Sequence, residues 1–432
     1  FEPLRKAVDN LKIRLSYGSL GNQQIGYYDF IQTITTKGSM SDYSFDGTVL
    51  GQHATVSDPV SGDQTWEKVV SKNLGLDLNM FNNRLSLTTD FYIRDTKGIL
   101  GKGKSLPSIY GASEPQMNAN NLRTKGYELV LGWRDSFKLA GSTFSYGITG
   151  TFSDYTAEYT KCDNPTGLIG DPYVGKKYGE IWGYKVDGLF RNDKEAAEYA
   201  SRIDLSTVAS GYYTATGAYG KGVRGGDIKY LDLNGDNIVN GGKGTLDDPG
   251  DRRVIGNSSP RYQYGASLNF SWYGFDVSVF MQGIGRLDWY PGADNLRFWG
   301  PYCRPYATFV PKNFMSQVWS EENPDAYFPR ARAYTSLNSN SGTAYYTNDR
   351  YLQNLAYCRL KNLTIGYTIP RRLTSKVGIK ECRIYFSGEN LATWSALKSD
   401  FLDPEQAAAD SDKKANVYPW CKTYSIGLNL TF

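Results

Sequence analysis

Thr423-Tyr-Ser-Ile-Gly-Leu-Asn-Leu-Thr-Phe432 is the stretch whose reading decides the fold. Tyr424, Ile426, Leu428, Leu430 and Phe432 alternate with Ser425, Gly427, Asn429 and Thr431. Period two is the mark of a strand with one apolar and one polar face. The alternation runs to an aromatic last residue. Terminal residues of a soluble domain fray unless something ties them down. A strand in a membrane wall must keep its register, because lipid offers no partner to an unpaired backbone group.

The same period recurs along the chain. Leu11-Lys-Ile-Arg-Leu-Ser-Tyr17 alternates cleanly. Leu74, Leu76, Leu78 and Met80 lead through Asn82-Asn83 into Leu85, Leu87, Thr89, Phe91 and Ile93, which predicts a hairpin. A second hairpin joins Tyr127, Leu129, Leu131 and Trp133 to Phe144, Tyr146, Ile148 and Phe152. A third runs from Tyr262 to Trp272, turns at Tyr273-Gly274 and returns through Phe275, Val277, Val279 and Met281. A fourth links Leu363, Ile365, Tyr367 and Ile369 through Pro370 to Cys382, Ile384 and Phe386.

Between the hairpins lie long polar segments, roughly 96–124, 191–260, 286–356 and 391–420. Short turns alternating with long loops are expected of an outer-membrane barrel, and structureless loops of this length are uncommon in a soluble sandwich. The apolar faces are aliphatic at mid-strand and aromatic near the ends, as interfacial girdles require, while the opposite faces suit a hydrated lumen. One segment resists this order. The strand near 143–153 should run outward and that at 261–272 inward, so an even number of strands must separate them. Only 179–190 suggests itself, so it either pairs with an unseen strand or lies outside the wall.

Composition narrows the function classes. The chain has 432 residues, 40% of them hydrophobic and 14% aromatic, with 34 Tyr. No stretch approaches the roughly 20 apolar residues of a membrane helix. A mean hydropathy of −0.48 does not exclude a barrel, whose strands show lipid only every second residue. With 48 Lys plus Arg against 44 Asp plus Glu and no basic stripe, nucleic acid is not an expected partner. Cys162, Cys303, Cys358, Cys382 and Cys421 are odd in number and lack CxxC spacing, which argues against a complete disulfide framework. His53 is the single histidine. No Ser/His/Asp set beyond it and no phosphate-cradling glycine loop points to catalysis. Paired carboxylates could in principle cleave a glycoside, but the sequence gives no separation for them. The expectation is no enzyme. A secreted carbohydrate-binding sandwich or a solenoid adhesin is the alternative to the barrel.

Several segments, taken together and in order, resemble the carboxyl-terminal half of SusC/RagA-type TonB-dependent transporters of Bacteroidetes outer membranes. They are Leu15-Ser-Tyr-Gly-Ser-Leu-Gly-Asn-Gln-Gln-Ile25, Lys125-Gly-Tyr-Glu-Leu129 and Gly226-Asp-Ile-Lys-Tyr-Leu-Asp-Leu-Asn-Gly-Asp236. Val254-Ile-Gly-Asn-Ser-Ser-Pro-Arg-Tyr262, Arg359-Leu-Lys-Asn-Leu-Thr-Ile-Gly-Tyr367, Gly388-Glu-Asn-Leu391 and Lys422–Phe432 follow. The resemblance implies an all-β transmembrane antiparallel barrel of about 22 strands. This chain, residues 1–432, would supply about a dozen of them, and the plug domain and TonB box would lie outside it. It also implies a SusD-like surface lipoprotein as lid, the TonB-ExbB-ExbD system as energy source, a pairing of transporter–lid units, and an oligosaccharide or, in some members, a peptide as cargo. Tyr424 and Phe432 would then carry the barrel closure and assembly signal. The last strand would pair with 381–391 on one side and with a first strand not in this chain on the other.

Two further sites come from the residues. Asp232, Asn234 and Asp236 have the spacing that opens an EF-type calcium loop, with Asp251 in the later acidic cluster as a further ligand. Position six is Asn237 rather than Gly and position twelve is Lys243 rather than Glu, so an Asx/Gly turn is the competing expectation. Any ion would be structural, and no cofactor is required. The aromatic segment 286–328 contains Trp289, Tyr290, Phe298, Trp299, Tyr302, Tyr306, Phe309, Trp319 and Tyr327. Trp289, Tyr290, Trp299 and Trp319 are its candidates for ligand or lid contact, against the competing expectation that the rings pack the loop on itself.

Overall fold

The computed structural model describes residues 7–22, 31–37, 53–62, 64–102, 107–214, 222–303, 310–332, 344–399, 401–409, 418 and 420–432. Ten strands form one antiparallel sheet: β1 (Val8–Asn22), β2 (Glu67–Met80), β3 (Leu85–Lys102), β4 (Gln116–Leu139), β5 (Ser142–Lys161), β6 (Arg261–Trp272), β7 (Phe275–Arg286), β8 (Tyr357–Thr368), β9 (Glu381–Ser395) and β10 (Thr423–Thr431). Each pairs with its neighbour in chain order, so the sheet is a simple meander with β1 and β10 at its edges.

Register gathers the alternating residues into two faces. Tyr146, Phe270, Val277, Ile365, Phe386 and Ile426 stand opposite one another across six strands. Leu15, Leu74, Phe91 and Tyr127 make a similar row across the first four. On the opposite face, Arg14 pairs with Gly75 and Gly75 with Asp90, while Ser278, Thr364, Ser387 and Ser425 form a hydroxyl row. A slip of one residue would exchange the faces of a whole strand, so the apolar row fixes the register.

The turns explain how the meander reverses. Ala140 and Gly141 have φ of 49° and 83°, and Tyr273 and Gly274 have 50° and 82°. Positive φ at both central residues is the type I′ hairpin turn, whose twist matches that of the strands and whose second position favours glycine. The two turns are tied together, for the Tyr273 hydroxyl donates to the Ala140 carbonyl and Trp272 Nε1 donates to Leu139 O at 3.2 Å. The β8–β9 connection is longer and holds the short helix Arg371–Thr374.

Two expectations from the sequence need correction, and one alternative left open is decided. Residues 96–124 are not a long polar segment, because β3 runs to Lys102 and β4 starts at Gln116. A strand that continues past a membrane would meet water on both faces, so its apolar period would fade although the backbone ladder continues. At 24 and 20 residues, β4 and β5 exceed the roughly 9–11 that cross a membrane. Within 179–190, Glu180–Gly183 pairs with Arg253–Asn257 and Val186–Leu189 with Ile228–Tyr230, both outside the wall. Strand β5 therefore pairs directly with β6, which satisfies the even-number requirement with none between. The described residues thus supply ten wall strands rather than about a dozen.

The main hydrophobic core lies outside the wall. Residues from 184–239, 287–355 and 402–407 bury Phe190, Tyr212, Tyr230, Trp299, Tyr351, Leu355 and Ala407 in one cluster. The connections at the outer end of the sheet are therefore a folded external body. Among the described residues, no helix is long and apolar enough to cross a membrane.

Candidate functional site: lumen face and external body

The polar face of the sheet is built from charges that neutralise one another locally. Arg14 on β1 reaches Asp77 on β2 at 2.9 Å and Asp90 on β3 at 2.8 Å. Arg383 on β9 donates through Nε to Asp276 on β7 at 2.9 Å, and Arg84 meets Asp135 at 3.2 Å. Glycines make room for what lies over them. The Tyr385 ring covers Gly427 and the Tyr92 ring covers Gly126, so that a Cβ at either glycine would strike the ring. Near the short turns this face opens into a recess of about 800 Å³ lined by Arg84, Arg134, Asp135, Asn269, Ser271 and Asp276. The surface is polar without a dominant sign. It can hydrogen-bond a passing solute but does not concentrate ions of one charge.

The aromatic segment turns inward. Trp289 is 4% exposed, Tyr290 7%, Trp299 0% and Trp319 6%. Trp299 lies edge-on to Tyr351 with centroids 5.1 Å apart and donates from Nε1 to Gly292 O at 3.0 Å. The Tyr290 hydroxyl donates towards Ala344 O and Tyr346 O, at 3.0 and 3.1 Å, and accepts from Asn348 Nδ2 at 2.9 Å. The Arg330 guanidinium sits 4.6 Å over the Trp319 ring. The rings of these four residues, expected to offer ligand or lid contact, are packed into the core of the external body. Phe298, Tyr302 and Phe328 pack with them, whereas Tyr306 and Phe309 lie outside the described residues.

The calcium spacing folds as a network of Asx turns. Asp232 accepts from Gly235 and Asn237 N–H at 2.7 and 2.9 Å. Asn234 Oδ1 accepts from Asp236 N–H and Asp236 Oδ1 from Ile238 N–H. Asp251, fully buried, accepts from Leu233 and Asn240 N–H at 2.7 and 2.8 Å. Asn234 Nδ2 also donates to Asp236 Oδ2 at 2.9 Å, so the side chains of this segment are engaged with one another and with backbone N–H groups, as in an Asx/Gly turn. Among the described residues, no group of three or more His, Cys, Asp or Glu could hold a metal ion.

Sequence reasoning missed two buried ion clusters. Asp227, 0% exposed, lies 2.7 Å from Arg332, which also stacks 4.1 Å over Tyr212. Burial pushes the Asp227 carboxyl up to about 7, against the pull of Arg332. Arg359 and Lys361 on β8 meet Asp403 and Glu405. Only the polar break at Arg359, at the start of an apolar alternation, signalled the second; its partners are distant in sequence.

At the end of the chain, β10 pairs with β9 from Glu381↔Thr431 to Glu389↔Thr423. Tyr424 stacks on Phe386 with centroids 6.2 Å apart. Phe432 is exposed, and its carbonyl accepts from Lys380 Nζ at 2.7 Å.

This architecture has known counterparts. The structure of the RagAB peptide transporter superposes with a TM-score of 0.69 at 22% identity, covering 99% of this chain and 41% of that one. TonB-dependent receptor P3 of Formosa agariphila is 26% identical over 98% of this chain and 39% of its own length. This chain is a relative of the SusC-type TonB-dependent receptors. TonB-dependent receptor SusC of Bacteroides thetaiotaomicron itself is 22% identical over 98% of the chain and 38% of its own length. No family model matches the chain. The chain thus spans about two fifths of the length of these receptors. The ten-stranded sheet is part of an outer-membrane β-barrel wall, and these relatives are receptors and transporters, not enzymes.

Proposed function

We infer that the chain forms wall strands and external body of a TonB-dependent importer that moves a nutrient oligomer across the outer membrane. The observation that carries this reading is the two-faced ten-strand register, apolar without and polar within, over the full length matched by the receptors. TonB with its ExbB-ExbD partners supplies the energy through segments outside this chain, and a SusD-like lipoprotein covers the external body. Further strands complete the open edges at β1 and β10, and lipid demands that closure. The carboxyl-terminal position of the chain in the barrel, and the part of Tyr424 and Phe432 in closure, belong to the same reading, as does a dimer of transporter–lid pairs.

The cargo we favour is an oligosaccharide. The lumen face presents hydroxyls, amides and self-compensated ion pairs, which suit a neutral hydrogen-bonding chain. A peptide is the second reading, favoured by the structural likeness to a transporter of peptides. Glycan and peptide uptake should be compared in host cells with and without the full-length gene. Loss of growth on a defined oligosaccharide alone supports the first reading, loss of peptide uptake alone supports the second, and no uptake defect contradicts both.

A further inference from the structure

We propose that residues 401–409 are a strap latched by an ion cluster onto the inner face of the wall, and that this latch fixes the seat of the external body on the barrel. The side chains of the strap divide between two surfaces. Leu402 and Ala407 are buried in the external core, while Asp403 and Glu405 turn to the sheet. There Arg359 forks between them, with Nη2 on Asp403 and Nη1 on Glu405, each at 2.6 Å. Its Nε donates to Thr393 Oγ1 of β9 at 2.9 Å. Lys361 Nζ donates to both oxygens of Glu405 at 2.9 and 2.8 Å, and Gln282 of β7 adds a bond at 3.3 Å. Three adjacent strands thus converge on one strap.

The direction follows from register. Arg359 stands opposite Gln282, which stands opposite Gly265, on the face away from Met281 and Leu360. That is the lumen side. Arg359 is 2% exposed, with Asp403 and Glu405 of the strap against its guanidinium. Lifting the strap would rehydrate two cations and two carboxylates together. A buried ion cluster of this kind adds little net strength but selects one arrangement sharply, because each one-sided misfit strands a charge. It is a device for registration.

The test is hydrogen exchange, read by mass spectrometry, on the full-length protein purified in detergent. Arg359→Met with Lys361→Met, and separately Asp403→Asn with Glu405→Gln, should speed exchange in 401–409 on the order of a hundredfold. The wall strands β7 and β9 should exchange as in the unaltered protein. Combining all four substitutions should return protection towards the starting level, since no charge is then stranded. Unchanged exchange in the one-sided variants would overturn the proposal. So would loosening of β7 and β9 along with the strap, or a fourfold variant as labile as the one-sided ones.

Discussion

Removing the Arg332 guanidinium takes away the ion-pair partner 2.7 Å from the buried Asp227 carboxylate and leaves it only the weaker pull of Arg330 and Arg224. Arg332→Met is expected to destabilise the external body by about 3–5 kcal/mol, and Arg332→Met with Asp227→Asn by clearly less. Denaturant unfolding followed by tryptophan fluorescence, to which the buried Trp289, Trp299 and Trp319 contribute, reads this. Asp251 makes no ion pair among the described residues and acts by collecting backbone donors. Asp251→Ala orphans the N–H groups of Leu233 and Asn240 and should cost on the order of 3 kcal/mol. A chelator should leave the melting of the unaltered external body where it is, and a clear drop on chelation would show that a cation holds it. The Asp-x-Asn-x-Asp spacing was legible in the sequence, but the targets of its oxygens were not. The same acceptors satisfy a cation or an Asx turn, and only the fold of residues 232–251 decides between them. The aromatic segment was ambiguous for a similar reason. Trp299 has the same composition signature in a core as on a docking surface.

At the scale of the element, the wall strands were legible because lipid and lumen impose opposite chemistry on alternate residues. The row Phe270, Val277, Ile365, Phe386 and Ile426 was written in the period of each strand. The outer halves of β3, β4 and β5 were not, since Lys97, Asn118 and Arg123 stand in water where no apolar period survives. Nor was the nature of Glu180–Gly183, whose run from Ile181 to Phe190 looks like a wall strand and instead feeds the external core. The face assignment makes a sharp prediction. Ile426→Arg sets a charge in lipid and should reduce wall stability by about 2–4 kcal/mol near mid-bilayer, while Ser425→Arg on the lumen side should change little. Urea unfolding in liposomes distinguishes the two, and equal effects would contradict the assignment.

On the scale of the molecule, the described residues form a two-faced sheet with few buried apolar side chains and an external body that holds most of them. A sheet of this kind is stable only when lipid covers one face. The full-length protein should therefore remain with outer membranes through salt and carbonate washes and leave only with detergent. The external body was the least legible part of the sequence. Its core joins residues as distant as Tyr184, Trp299 and Leu402, and no local period records such contacts. The same distance hid the strap from any reading of residues 396–409 alone. The most direct measurement of the central claim is quencher accessibility at spin labels placed one by one along Ile384–Gly388 and Tyr424–Leu428 in lipid vesicles. The account predicts that oxygen, concentrated in lipid, reaches labels at Ile384, Phe386, Ile426 and Leu428, while a water-soluble nickel chelate reaches those at Tyr385, Ser387 and Ser425. Equal access of the nickel chelate to both sets would contradict it.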